Sequence, residues 1–274
     1  MTTTLGRLGI WRRHMDPIDD LPRIEAAGYS AVWVGASPSV EQCHPFLEAT
    51  TTMTVATGIL NVWAHDPAAV AAAHAETTRA YPGRFLLGVG IGHPEATAEY
   101  ASPLATMRAF FDGLDTAPTP VPKAERAMAA LAPRMLALAG ERAAGAHTYF
   151  ITPQHTAAAR TALGPDALLA PEVAVVVEPD TETARRIARG YARTYLGLSN
   201  YTANLRRYGY TDADVSDGGS DRLIDAVIPH GTAEEVAAAL RSHLDAGADH
   251  VAVQALTRDG TPADDLEAIA AALG

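Results

Sequence analysis

Cysteine is almost missing: the 274 residues contain one, Cys43. A lone cysteine closes no internal disulfide and builds no thiolate metal site, which suits a reducing cytoplasm. Cys43 sits ahead of an Ala- and Leu-containing helical stretch and reads as a small packing residue rather than a nucleophile. Long apolar runs are missing too. None approaches the roughly 20 residues that cross a bilayer, and Met1-Thr2-Thr3-Thr4-Leu5 lacks the apolar core of a signal peptide. Positive charge is in deficit, with a formal net charge of −11. That disfavours nucleic acid and anionic membranes as partners. An anionic ligand would need a local positive site, such as a helix N-terminus. A cytoplasmic protein acting on a small molecule is the expectation.

What is present is enough apolar residue, 48% of the chain, to bury a large core, with only 19% charged. Disorder would need the reverse balance. Short apolar runs alternate with helical stretches. Leu8 to Trp11 reads as a first strand. Asp16-Pro17 is expected to open a helix that ends at Ala27-Gly28. Further strands are expected at 31–35, 53–60, 85–90, 126–131, 147–151, 172–178 and 250–256. Helices are expected between them, one opened by Asp66-Pro67, one by Pro133 and one by Thr152-Pro153. The strand over 126–131 runs against local propensity, since Arg126-Ala127-Met128-Ala129-Ala130-Leu131 would suit a helix. Residues 116–122, rich in proline, read as a surface loop, and a helical excursion is expected near 199–228. Continuous apolar strands mean burial on both faces and a parallel sheet. Eight units in one chain favour a single-domain (β/α)8 TIM-like barrel over residues 1–274. A doubly wound sheet would carry a glycine fingerprint after its first strand; Arg12-Arg13-His14-Met15-Asp16 has none.

A barrel of this kind places its chemistry at the C-terminal ends of the strands. That rule selects Arg12, Arg13 and His14, then Ser37, then Asn61, Trp63 and His65, then Gly92 and His93, then Pro133 and Arg134. His14, His65 and His93 lack the close spacing of a metal motif, so no metal is expected. Gly88, Gly90 and Gly92 recur at every second position. They read either as small interior packing residues or as the place where a flat ring comes close. The start of the helix at Pro133 offers free amides and a positive dipole end to an anion, and Arg134 adds a bidentate phosphate contact.

The segments Val55-Ala56-Thr57-Gly58-Ile59-Leu60-Asn61-Val62-Trp63-Ala64-His65-Asp66-Pro67 and Tyr81-Pro82-Gly83-Arg84-Phe85-Leu86-Leu87-Gly88-Val89-Gly90-Ile91-Gly92-His93 together resemble the luciferase-like monooxygenase superfamily, within its actinobacterial F-420-dependent branch. Ala129 to Met135, Asn204 to Gly209, Gly218 to Leu223 and His243 to Val251 extend the likeness. The resemblance implies a barrel with a flavin or deazaflavin ring at its mouth. It implies a bulged third strand, often with a cis non-prolyl peptide, at Gly58, Ile59 and Leu60. Asn61 would meet the ring edge, and Gly90, Gly92 and His93 would line the other side. The phosphate would meet Ala132, Pro133 and Arg134, with Ala144, Gly145 and Ala146 close by. Homodimers are common in such proteins. The sequence departs from the pattern at Ala132, where glycine is usual, at Ala143-Ala144-Gly145, where Ala-Asp-Gly is common, and at Arg12-Arg13-His14, where small or polar residues are frequent.

The expected activity is hydride transfer between coenzyme F-420 and a small organic substrate. His14 or His93 is the candidate acid or base, because histidine titrates near neutral pH. Arg12, Arg13, Ser37 and Trp63 would shape the substrate pocket. Two other expectations stand beside this one: an FMN-dependent monooxygenase, and a barrel without redox activity that serves as a binding subunit.

Overall fold

In the computed structural model, which describes residues 5–97, 100–257 and 262–274, strands and helices alternate from end to end. In chain order they are β1 (Leu8–Arg13), α1 (Leu21–Ala26), β2 (Ala31–Gly35), α2 (His44–Ala49), β3 (Thr54–Thr57), β4 (Leu60–Asn61), α3 (Pro67–Ala80), β5 (Phe85–Gly90), α4 (Pro103–Thr116), β6 (Arg126–Ala129), α5 (Pro133–Arg142), β7 (Gly145–His147), α6 (Pro153–Leu163), β8 (Leu168–Leu169), β9 (Glu172–Val177), α7 (Thr181–Leu196), α8 (Ser199–Arg207), α9 (Asp212–Val215), α10 (Asp221–Val227), β10 (His230–Gly231), α11 (Ala233–Asp245), β11 (Val251–Ala255) and α12 (Ala263–Leu273).

The strands form one parallel sheet in the order β10-β9-β11-β1-β2-β3-β5-β6-β7-β8. Two pairs are halves of one barrel strand. β4 resumes after a break in β3 and pairs with β5. β9 resumes after β8, and this shared strand closes the barrel. On one side Ala170 and Glu172 donate to Ala146 and Thr148 at 2.9 and 2.8 Å; on the other Ala252 donates to Pro171 at 2.8 Å. β10 pairs only with the end of β9. Eight positions around a closed (β/α)8 barrel result, as the alternation implies.

Side chains alternate across the wall of the barrel. Ile10, Val32, Val34, Val55, Phe85, Leu87, Met128, Val251 and Val253 face the helices in the main core. Trp11, Trp33, Ala56, Leu86, Ala127, Ala170 and Ala252 cluster inside the barrel. The inward alanines leave room for the large rings. Trp33 stacks on His147 at 4.1 Å between centroids and donates through Nε1 to His250 Nε2 at 3.1 Å. This plug closes the barrel interior, so it is a packed core rather than a pore.

Several local expectations hold. Asp66 caps α3, its carboxylate accepting from Ala69 N at 2.9 Å, and α5 starts at Pro133. Residues 126–129 form a strand because the barrel pairs them on both edges, which outweighs their helical propensity. Helices α8, α9 and α10 make up the excursion. Others shift. The first helix starts at Leu21, not at Asp16-Pro17, because the Asp16 carboxylate turns back to Arg13 N and Nε, both at 2.9 Å. The strand expected at 147–151 is Gly145–His147; Phe150, with a left-handed φ of 52°, turns the chain away.

Candidate active site

The C-terminal mouth of the barrel holds a cavity of about 590 Å³. That is within the usual range for small-molecule and cofactor sites. Two walls of different construction enclose it.

The first wall comes from the break between β3 and β4. Here the backbone ladder between β3 and β5 is replaced by one side chain. Thr57 Oγ1 donates to Gly88 O at 2.7 Å and accepts from Gly88 N at 2.8 Å. A Cβ on Gly88 would overlap the Thr57 carbonyl oxygen, so this insertion requires glycine. Beyond it the Gly58–Ile59 peptide is cis, at the place the resemblance implied. Gly58, Ile59 and Asn61 line the cavity, with Ile91, Gly92 and His93 from the segment after β5. Gly58 O accepts from Trp11 Nε1 at 3.2 Å, which fixes the indole beneath the break. Gly92 has φ 65°, and a Cβ there would lie 3.1 Å from Asn61 Nδ2. Asn61 Oδ1 accepts from Trp63 N at 3.1 Å, leaving the amide NH₂ on the Gly92 side.

The second wall is aromatic. Tyr149 follows β7, Tyr195 lies on α7 and Tyr201 on α8; all three line the cavity, with Asn200, Ala203 and Arg207. Tyr149 meets Trp11 edge-on at 5.6 Å. Phe150 stacks on Tyr195 at 5.2 Å and meets Tyr201 edge-on at 5.9 Å. Burial pushes the hydroxyls of Tyr149, Tyr195 and Tyr201 above the ordinary tyrosine range, so they serve as neutral donors and acceptors.

Two histidines also line the cavity. His93 Nδ1 lies 3.2 Å from Asn200 Oδ1, and burial lowers its pKa. His147 is fully enclosed, and burial pushes it down to about 4. Its Nδ1–H donates to Ala170 O at 2.7 Å. The ring is therefore neutral, with Nε2 left as a buried acceptor without a partner.

The residues singled out in the sequence divide. Arg13, Ser37, Gly58, Ile59, Asn61, Gly92, His93 and Ala132 surround the cavity. Pro133 and Arg134 are exposed at the start of α5, next to cavity-lining Ala132, and Ala132 makes no side-chain cap of that helix. Others lie elsewhere. Arg12 is buried and bonded to Asp20 through both terminal nitrogens, at 2.5 and 2.6 Å. His14 Nδ1 turns to Gly35 O at 3.3 Å. Trp63 donates to Ile91 O at 2.8 Å and braces the rim from behind. Leu60 is wholly in the core. Gly90 makes space for the Ile59 side chain. Ala144, Gly145 and Ala146 need a correction. Ala144 borders a separate cavity with Lys123 and Asp249, while Gly145 and Ala146 pair with Ala127 and Met128. They lie at and just before the N-terminal end of β7, the end of the barrel opposite the mouth. Among the described residues no three of His, Cys, Asp and Glu come together to hold a metal ion.

Sequence reasoning missed Trp11, His147, Tyr149, Tyr195, Tyr201, Asn200 and Arg207. One signal was available: Tyr191 and Tyr195 are spaced i, i+4 and so share a helix face.

The luciferase-like monooxygenase family profile matches residues 21–112, the segment that carries the first wall. No match was found among curated proteins. Solved structures share the fold over nearly the full length. An F-420-dependent secondary alcohol dehydrogenase in complex with an F-420–acetone adduct has a TM-score of 0.77 at 16% identity, covering 99% of this chain and 100% of that one. The coenzyme F-420 dependent tetrahydromethanopterin reductase from Methanopyrus kandleri has a TM-score of 0.70 at 15% identity, covering 97% and 98%. The oxygenating constituent of 3,6-diketocamphane monooxygenase from Pseudomonas putida, in complex with FMN, has a TM-score of 0.65 at 15% identity, covering 98% and 97%. Residues 21–112 thus carry the luciferase-like monooxygenase family pattern, and they do so within a (β/α)8 barrel shared with F-420- and FMN-associated proteins of known structure.

Proposed function

We propose that this chain is a luciferase-like oxidoreductase that binds the deazaflavin coenzyme F-420 at the barrel mouth and moves a hydride to or from a small organic molecule. The observation that carries the reading is the cavity itself. It is open, flanked by the β3–β4 break on one side and by tyrosines on the other, and bordered by Ala132 beside the exposed start of α5. A mouth filled by side chains, or a helix tip closed to solvent, would have argued against it.

The residues present fit a flat heteroaromatic ring with an anionic tail. Gly92 lacks the Cβ that would crowd the Asn61 amide. The Asn61 amide can donate to a ring edge, and the orphaned Nε2 of His147 asks for a donor from a bound molecule. Arg134, Arg207 and the first amides of α5 supply the positive end that an acidic protein needs locally to hold a phosphate. When bound, the deazaflavin supplies the site that accepts or gives the hydride. Trp11, Ile59, Ile91 and Leu131 keep water from the reacting faces. His93 faces the same space, with its Nδ1 tied to Asn200, and would exchange a proton through its other nitrogen.

F-420 is preferred to FMN on the likeness of residues 55–67 and 81–93 to the F-420-dependent branch; F-420-dependent structures and an FMN complex share the fold alike. Parallel fluorescence titrations of the purified protein with F-420 and with FMN test the choice. Saturable binding of F-420, tighter than FMN, is expected. Tighter FMN binding would move the assignment to a flavin monooxygenase, and binding of neither would leave a barrel that holds some other ligand.

A further inference from the structure

Behind the tyrosine wall lies a carboxyl group that the proposed reaction has not used. Glu172 opens β9 and is 1% exposed. Its Oε2 has no partner, and Oε1 accepts from the Tyr191 hydroxyl at 3.3 Å. The Tyr191 hydroxyl is 2.7 Å from that of Tyr149, which is 2.9 Å from that of Tyr195. The Tyr149 and Tyr191 hydroxyls each also lie 2.9 Å from Gln254 Oε1, to which either can donate, so Gln254 is a resting acceptor beside the line. Tyr149 and Tyr195 reach the cavity. An unbroken line of hydroxyl groups therefore joins a buried carboxyl to the cavity wall.

We propose that this line is a proton relay in which Glu172 stores a proton and Tyr195, fed through Tyr191 and Tyr149, passes it to the oxygen of a carbonyl group held in the cavity, or recovers it from the alcohol. The relay to a carbonyl rests on the redox reading of the cavity.

The proton count closes. For a passage the Tyr149 and Tyr191 hydroxyls turn from Gln254 Oε1 to their neighbours; with Glu172 protonated, the carboxyl then donates to Tyr191, Tyr191 to Tyr149 and Tyr149 to Tyr195. The Tyr195 O–H is then free to donate into the cavity. In one passage the Tyr195 O–H bond breaks as an O–H bond forms on the substrate. Tyr149 reprotonates Tyr195, Tyr191 reprotonates Tyr149, and Glu172 reprotonates Tyr191. The carboxyl ends ionised, every tyrosine ends neutral, and every hydrogen bond in the line has reversed. The electron pair arrives separately, as hydride at the carbonyl carbon from a reduced carrier of the deazaflavin class; the carbonyl is reduced and the carrier oxidised.

The surroundings suit storage. The titratable groups around Glu172 are Tyr191 and Tyr195 from α7, Tyr149 from the turn after β7 and Tyr201 from α8. Gln254 from β11 is neutral. Among the described residues no basic side chain bonds the carboxyl. Burial pushes it up to about 8, against the pull of the Phe150 amide and the Tyr191 hydroxyl, so it keeps its proton near neutrality. The tyrosines, pushed upward by the same burial, pass protons without ionising.

Infrared spectra of the cofactor-free protein test this directly. The C=O stretching band of a protonated carboxyl is expected at neutral pH, fading as the pH passes about 8 and missing in Glu172→Gln. On rapid mixing into heavy water the band shifts as the carboxyl proton exchanges. That exchange is expected to slow by roughly tenfold or more when Tyr149→Phe cuts the line. Tyr195→Phe, which loses fewer hydrogen bonds, serves as the second variant if Tyr149→Phe does not fold. An ionised carboxyl at neutral pH, or exchange unchanged in the variant that folds, would overturn the relay. F-420 binding is followed by fluorescence on the same samples. If the wild-type protein fails to bind F-420 while the exchange difference persists, the redox reading falls, and with it the carbonyl as the proton's destination.

Discussion

On one side of the cavity the wall is mostly backbone, laid down by two short stretches of consecutive residues around Gly58 and Gly92. On the other it is a set of phenol rings drawn from the turn after β7 and from helices α7 and α8, with a carboxyl behind them. The backbone wall gets its shape from what its residues lack. Gly88 has no Cβ to strike Thr57, and Gly92 takes a left-handed φ that most residues resist. The aromatic wall gets its properties from what its residues bring: hydroxyls, bulk and a shared low-dielectric interior that shifts their ionisation. One wall tolerates almost no added atoms. The other is sensitive to removal of a single oxygen.

The largest expected effect is on the aromatic side and shows as pH dependence. In the unfolded chain Glu172 titrates near 4.5; in the folded chain it titrates near 8. Between those values only the folded chain holds the proton, so stability falls as pH rises through that window, by roughly 3–6 kcal/mol. The opposite slope comes from His74, His147, His243 and His250. Burial pushes each from 6.5 to about 4, so stability falls as pH drops from 6.5 towards 4. The two windows overlap below pH 6.5, where four histidines outweigh one carboxyl, so urea midpoints against pH should peak near 6.5 and fall towards 8. Glu172→Gln should flatten the alkaline limb and leave the acid limb. An unchanged alkaline limb would dissolve the contrast between the walls.

Next in size is Gly88→Ala on the backbone side. The added methyl meets a carbonyl oxygen that cannot move without opening the Thr57 insertion. A loss of about 3 kcal/mol is expected in chemical denaturation, with no change in the pH profile. The smallest effect on stability should come from Arg207→Ala. Arg207 is exposed at the end of α8, so the fold should change by less than about 0.5 kcal/mol. F-420 should nevertheless bind roughly tenfold more weakly, and the difference should shrink as salt is raised. Equal affinities at low salt would remove Arg207 from the phosphate site and leave the start of α5 as its holder.

The backbone wall was legible in the sequence because its determinants are neighbours in the chain. Glycines at every second position mark positions that must stay small, and the break at Gly58 to Leu60 was implied by the likeness of residues 55–67 to the luciferase-like superfamily. The tyrosines were not legible as a site. Tyr149, Tyr195 and Tyr201 look alike as ordinary amphipathic residues until the barrel closes and brings the turn after β7 against α7 and α8. Arg12 fails for the converse reason. It stands at the end of β1, where the barrel rule puts chemistry, but Asp20 lies within reach and ties it down outside the cavity. Ala144 to Ala146 fail through strand direction: they lead into β7 and so lie at the barrel end away from the cavity.

The sequence by itself determined the parallel barrel, the cap at Asp66, the small residues at Gly88, Gly90 and Gly92 and the start of α5 at Pro133. Each follows from periodicity, steric freedom or capping within a few residues. Only the tertiary structure decided which titratable groups share an interior, which carboxyl keeps its proton and which hydroxyls reach the cavity. Ionisation depends on burial and on neighbours far apart in the chain, and neither exists until the eighth strand position closes against the first.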